Sequence, residues 1–261
     1  MATFKHISSK NANYGDAEKY LTFAHDEFTM KPTLDAEGRL VPRGDYRIST
    51  LNCGEEDFAV ACMRSNLRYG KNQKREDVKS HHYIISFDPR DGPDNGLTAD
   101  KAQELGERFC REQFPGHQAI VCTHPDGHNQ SGNIHVHIVI NSLRIENVLL
   151  PYMDRPADTK AGCKHRCTDA AMEYFKSEIM ELCHEAGLYQ IDLLNGSANR
   201  VMRIISVPSW SRSSGCPAKP QSADTRSVWH RLKSGWESLT VCLSAFMRPM
   251  WLSASQMKGS L

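Results

Sequence analysis

The stretch that decides the fold runs from Ala119 to Arg144, AIVCTHPDGHNQSGNIHVHIVINSLR. Two apolar runs, 119–122 and 134–140, flank a polar segment with Pro125, Gly127, Gly132 and two asparagines, the pattern of two strands joined by a loop. Successive side chains of a strand point to opposite faces, so His135 and His137 share one face and Ile134, Val136 and Ile138 the other. His124 closes the first arm, and a tight antiparallel pairing brings its imidazole beside the other two. Neutral imidazole is a common metal ligand, and three protein ligands with an open position are the usual form of a catalytic metal site. Asp126 is placed to accept the second ring N–H of a ligand histidine and fix its tautomer. His128 lies nearer the loop tip.

Outward from this hairpin, the pattern of elements is mixed. DAEKYLTF, 16–23, reads as a short helix entered through Gly15 and Asp16. Residues 25–52 hold Pro32, Gly38, Pro42 and Gly44 with little periodicity and read as a long ordered loop or short hairpin. Residues 55–69 fit a helix stopped by Gly70. HYIISF, 82–87, is a strand that places His82 and Ser86 on one face. Thr98 caps a helix reaching Phe114, and Thr168 caps another whose stripe of Met172, Phe175, Ile179 and Leu182 is core. The expected fold is α+β: a central antiparallel sheet with flanking helices covering its apolar face and the histidines on its open face.

Composition sets the class. The 261 residues are 39% hydrophobic and 24% charged, as in a globular protein. No apolar leader opens the chain and no apolar run is long enough to cross a bilayer, so a cytoplasmic location without membrane insertion is expected. Nine cysteines at irregular spacing suggest reduced thiols. Cys163-Lys-His-Arg-Cys167 is too tightly spaced for the usual structural zinc loop, and Lys160, Lys164 and Arg166 more simply suggest phosphate contact. Net charge is only +1, so nucleic-acid binding must rest on local patches. The best is RSNLRYGKNQKREDVK, where Arg64, Arg68, Lys71, Lys74, Arg75 and Lys79 surround Tyr69, cations for phosphates with an aromatic ring for unstacked bases.

The organisation is a domain of residues 1–200 and an atypical tail of residues 201–261. All four tryptophans, thirteen serines and only two acids fall in that tail, which shows no periodicity. A shifted reading frame from about Val201 would account for it, and such a tail is expected to be poorly ordered.

HPDGHNQSGNIHVHIVIN resembles the third motif of relaxases, the mobilisation nucleases of the HUH endonuclease group, and is most similar to the MOB-P branch found in mobile elements of Gram-positive bacteria. The GHNQSGN segment is longer than that branch's common pattern. The resemblance covers roughly residues 1–200. It implies His124, His135 and His137 as metal ligands, and a nucleophilic tyrosine on an N-terminal helix, which AEKYLTF places at Tyr20; Tyr14, in the preceding loop, is a weaker candidate. Asp126, His82 or solvent would accept the tyrosine proton. His82, His128 and Asn141 are candidate supporting residues.

The activity so implied is nicking of one DNA strand at a transfer origin, with the chain left on the 5′ end to begin conjugative mobilisation. The partners implied are single-stranded origin DNA, an accessory nicking protein and a coupling protein. All-imidazole ligation by itself suits zinc or nickel, whereas the resemblance implies Mn²⁺ or Mg²⁺, which is the cation expected. The rival readings are a rolling-circle replication initiator of the same fold and a non-catalytic DNA-binding module.

Overall fold

The computed structural model describes residues 3–26, 29, 31–127, 132–189 and 192–194. The chain divides into two units, Met1–Ser206 and Val207–Leu261, and every described residue belongs to the first. The readings of His128 and of the tail from 201 to 261 lie outside the described residues.

Five strands form one sheet: β1 (Thr3–Ser9), β2 (Arg47–Leu51), β3 (Ser80–Ser86), β4 (His117–His124) and β5 (His135–Arg144). Their order is β1-β3-β5-β4-β2, antiparallel at every pairing. The helices are α1 (Gly15–Thr22), α2 (Phe58–Tyr69), α3 (Asp91–Asn95), α4 (Ala99–Gln113) and α5 (Asp169–Glu185). The expected caps form: the Thr98 hydroxyl accepts from the Lys101 N–H and Thr168 from Ala171. Gly70 ends α2 in the left-handed conformation, at φ +61°.

One face of the sheet carries Tyr83, Ile85, Val121, Val136, Ile138 and Ile140 against Phe109 and Cys110 of α4 and Phe175 and Ile179 of α5. The opposite face, which holds the histidines, is not open as the sequence suggested. Ile120, Cys122 and Val139 on that face meet Phe58, Ala61 and Cys62 of α2 and Leu21 of α1 in a second core. The cause is visible along each strand: Ile120 and Cys122 precede His124 at the period of two, and Val139 follows His137, so an apolar row continues from the histidines. Both central strands are therefore buried on both faces.

Two strands escaped the sequence reading. The segment read as a long ordered loop or short hairpin from 25 to 52 ends in β2, after irregular antiparallel bridges Phe23↔Pro42, His25↔Pro32 and Leu34↔Leu40. β1 pairs with β3 through Thr3↔Ser86 to Ser9↔Ser80. Both are edge strands with one exposed flank, and their short mixed sequences lack the apolar density that marks the centre.

The segment 163–167 forms no ligand cluster among the described residues. His165 is buried and shares a 2.8 Å hydrogen bond with the Tyr83 hydroxyl, Lys164 pairs with Asp77, and Arg166 pairs with Asp154 and Asp158.

Close helix-to-sheet contact depends on Gly106. A β-carbon built there would lie 2.4 Å from Cγ1 of Val136. Helix propensity alone would make Gly106→Ala stabilising by about 1 kcal/mol. Overpacking against a β-branched residue in a filled core costs about 1–3 kcal/mol and should win. Urea denaturation should show the variant less stable than the wild type.

Candidate functional site

The pairing of β4 with β5 sets His124 opposite His135, and alternation puts His137 on the same face. The three ring centroids lie 5.1 Å (124 to 135), 4.7 Å (124 to 137) and 4.9 Å (135 to 137) apart. One nitrogen from each ring falls within 4.8 Å of the other two, and this is the only such cluster of histidine, cysteine or acidic side chains among the described residues.

Each ring has a second nitrogen held by the protein. His124 Nε2 donates to the Leu21 carbonyl at 2.8 Å, and His135 Nδ1 donates to the Asn133 carbonyl at 3.3 Å. His137 Nδ1 shares a 2.8 Å hydrogen bond with His82 Nε2. A carbonyl only accepts, so the proton of His124 is on Nε2 and that of His135 on Nδ1. The nitrogens that face each other, His124 Nδ1 and His135 Nε2, are 3.3 Å apart and both carry lone pairs. Two lone pairs at that distance repel in the neutral protein, and a cation between them removes the repulsion. The donor set thus fits a divalent metal ion, with outer partners of the kind that orient ligand histidines.

Burial keeps the imidazoles of His82, His124 and His137 neutral. It drives the pKa of His124 down to about 3, with the Arg43 charge as the next cause, and that of His82 to about 4. His137 is held well below 6.5, by burial first and by its histidine neighbours next. Unliganded nitrogens therefore offer lone pairs rather than protons at neutral pH.

Tyr20 reaches the same place. Its ring lies 6.0 Å from that of His137 and 6.1 Å from that of His82, perpendicular to the former. Burial raises its phenol pKa, and the Arg43 charge opposes the rise. The bond from His124 to Leu21 ties the helix turn that bears Tyr20 to one of the rings. Beside Tyr20 opens a cavity of about 280 Å³ lined by Phe23, His25, Pro32 and Leu40. Tyr14 is buried at the start of α1, where its hydroxyl donates to the Lys79 carbonyl at 3.0 Å and accepts from the Asn66 amide at 2.7 Å.

Several expected site residues sit elsewhere. Among the described residues Asp126 orients no histidine; its carboxylate is largely exposed and faces Arg43 at 3.5 Å, while the carbonyls of Leu21 and Asn133 take the ring N–H groups of His124 and His135. Asn141 lies further along the histidine face, buried in hydrogen bonds with Gln118, Ser65 and Tyr14, and supports the packing of α1 and α2. Within the basic segment, Lys79 is buried with its ammonium on the carbonyls of Lys74 and Asp77, which makes it a strut. Arg64 pairs with Glu56 and Arg68 lies over the Tyr69 ring, both exposed, as are Lys71, Lys74 and Arg75. Arg43 and the Leu21 carbonyl were missed. A lone arginine in a Pro-Arg-Gly turn has no periodic signal, and a backbone acceptor has none at all.

The family described as "Relaxase: MobA/VirD2-like, nuclease domain" matches residues 42–188, beginning after the helix that carries Tyr20. Two Staphylococcus aureus proteins named Protein rlx are similar: one is 28% identical over 140 residues, 54% of this chain and 36% of the relative, and the other 34% identical over 99 residues, 38% of this chain and 26% of the relative. Escherichia coli Protein TraI is 24% identical over 143 residues, 53% of this chain and 16% of TraI. The chain thus spans at most about a third of the length of these relatives. Among solved structures, one from work on vancomycin resistance transfer in Staphylococcus aureus gives a TM-score of 0.44 at 14% identity, covering 71% of this chain and 92% of that one. The conjugative relaxase TrwC in complex with oriT DNA gives 0.37 at 13%, covering 73% and 72%. No helix among the described residues is long and apolar enough to cross a membrane.

The lowered histidine pKa values predict an acid-sensitive fold. An unfolded chain takes up protons on these rings as pH falls through 6.5, whereas the folded chain does so only near 4 for His82 and 3 for His124. Stability is therefore full above 6.5 and is lost as pH falls from there toward the folded values. In chelator, the urea midpoint should drop between pH 7 and pH 5, and a flat profile would contradict the assignment.

Proposed function

Because this chain belongs to the MobA/VirD2-like relaxase family through its nuclease domain, we propose that it nicks one strand of DNA by attack of Tyr20 and initiates conjugative mobilisation. The observation that carries the reading is the position of the Tyr20 phenol at the edge of three converging imidazoles, on a helix hydrogen-bonded to one of them.

The chemistry is a transesterification. The Tyr20 oxygen forms a bond to the scissile phosphorus, the bond from phosphorus to the 3′ oxygen breaks, and the chain stays on the 5′ phosphate. The phenol proton leaves for solvent or a nearby base, and the released 3′ oxygen takes one up. The phosphodiester count is unchanged, so the 3′ hydroxyl can later reverse the step, as covalent catalysis of this kind permits. His124, His135 and His137 would hold a divalent cation, Mn²⁺ or Mg²⁺, which would supply Lewis-acid polarisation of the phosphate and a template for it. His82 and the carbonyls of Leu21 and Asn133 orient the three rings. The exposed cations Arg64, Arg68, Lys71, Lys74 and Arg75 would contact the backbone of single-stranded origin DNA. An accessory nicking protein and a coupling protein would complete the transfer machinery, and a replication initiator remains the rival use of the same chemistry.

The test is incubation of the chain with Mn²⁺ and a randomised pool of single-stranded DNA, followed by capture of species that survive denaturation. The wild type should yield a covalent adduct that chelator prevents. Tyr20→Phe should bind the selected strand with affinity within about fivefold of the wild type, since one hydroxyl is worth about 1 kcal/mol, yet form no adduct. Adduct formation by Tyr20→Phe would move the nucleophile to another residue.

A further inference from the structure

The guanidinium of Arg43 is placed where no role assigned so far uses it. Its backbone N–H donates to the Thr22 carbonyl at 2.9 Å, which fixes it at the end of the helix that bears Tyr20. Its side chain is only 17% exposed. Nε is buried and finds no hydrogen-bond partner among the described residues. Its one acidic partner among the described residues, Asp126, reaches Nη1 at 3.5 Å, at the long end of hydrogen bonding, from a carboxylate that is 62% exposed. The bond to Thr22 and the contact with Asp126 place it between the turn of α1 that follows Tyr20 and the chain two residues beyond His124.

Leaving a buried guanidinium nitrogen unpaired is costly. Setting that cation beside three rings that fit a second cation costs more. Both costs vanish if an anion lies between them, and the loosely held Asp126 is readily displaced. A planar guanidinium with unfilled donors matches phosphate oxygens, in a way that a lysine would not.

Building on the nicking reading above, we infer that Arg43 is a catalytic residue that donates hydrogen bonds to a non-bridging oxygen of the scissile phosphate, on the side away from the histidines. Its charge then neutralises what gathers on the phosphate oxygens as the Tyr20 oxygen adds and the 3′ oxygen departs. Asp126 closes over Arg43 when DNA is absent and gives way when it binds.

The experiment uses the full chain, Mn²⁺ and the DNA strand selected by covalent capture on the wild type. Arg43→Gln should slow single-turnover adduct formation about 100-fold, the scale for removing one preorganised donor. Arg43→Lys should fall between the two, because it keeps the charge and loses the fork. In a Tyr20→Phe background, Arg43→Gln should weaken non-covalent DNA binding far less than it slows the reaction. Without DNA, Arg43→Gln should bind Mn²⁺ more tightly than the wild type, read by electron paramagnetic resonance, because a neighbouring cation is gone. A merely structural arginine would instead lower metal affinity and folding stability together. Wild-type adduct rates in Arg43→Gln, or joint loss of Mn²⁺ binding and stability, would overturn the inference while leaving the nicking reading intact. Absence of any adduct with the wild type would overturn both.

Discussion

The register between β4 and β5 is the constraint from which the rest of the site follows. His124 faces His135 across the pair, and Cys122 faces His137. A slip of one residue would send His124 to the opposite face and leave the two remaining rings without it. The register is held from both sides: Val121, Val136 and Ile138 pack under α4 and α5, while Ile120, Cys122 and Val139 pack under α1 and α2. Burying a strand pair on both faces costs the chain its open sheet surface and secures the position of the three rings.

The same arrangement explains why α1 lies where it does. Leu21 is fully buried in the second core, and its carbonyl accepts the His124 proton. Hydrophobic packing thereby sets the height of α1, and one hydrogen bond sets its angle relative to the rings. At the other end Tyr14 anchors α1 through Lys79, Asn66 and Asn141. Between these two fixed points Tyr20 projects to the edge of the site. Lys79 and Asn141 therefore contribute as supports of the helix.

How much of this the sequence discloses depends on where each signal resides. Period-two alternation exposes β3, β4, β5 and the shared face of the histidines. Threonine caps and glycine stops mark α2, α4 and α5. The edge strands β1 and β2 are short and polar on one side, and their pairing is decided by partners far along the chain. The second core was legible in the apolar residues that continue the histidine row, Ile120, Cys122 and Val139. Its covering helix, with buried Phe58, Ala61, Cys62 and Ser65 at helical spacing, was legible too; what the sequence lacks is any statement that the two meet. Asp126 shows the converse error: a carboxylate two residues from His124 invites an orienting role that the Leu21 carbonyl fills instead.

The account stands on one cation shared by His124, His135 and His137 beneath the Tyr20 phenol. The most direct measurement is anomalous diffraction at the manganese edge from crystals of the chain grown with Mn²⁺. The account predicts a single strong peak enclosed by His124 Nδ1, His135 Nε2 and the His137 nitrogen opposite His82, with the Tyr20 ring alongside. A peak elsewhere, or manganese bound by fewer than all three rings, would contradict it.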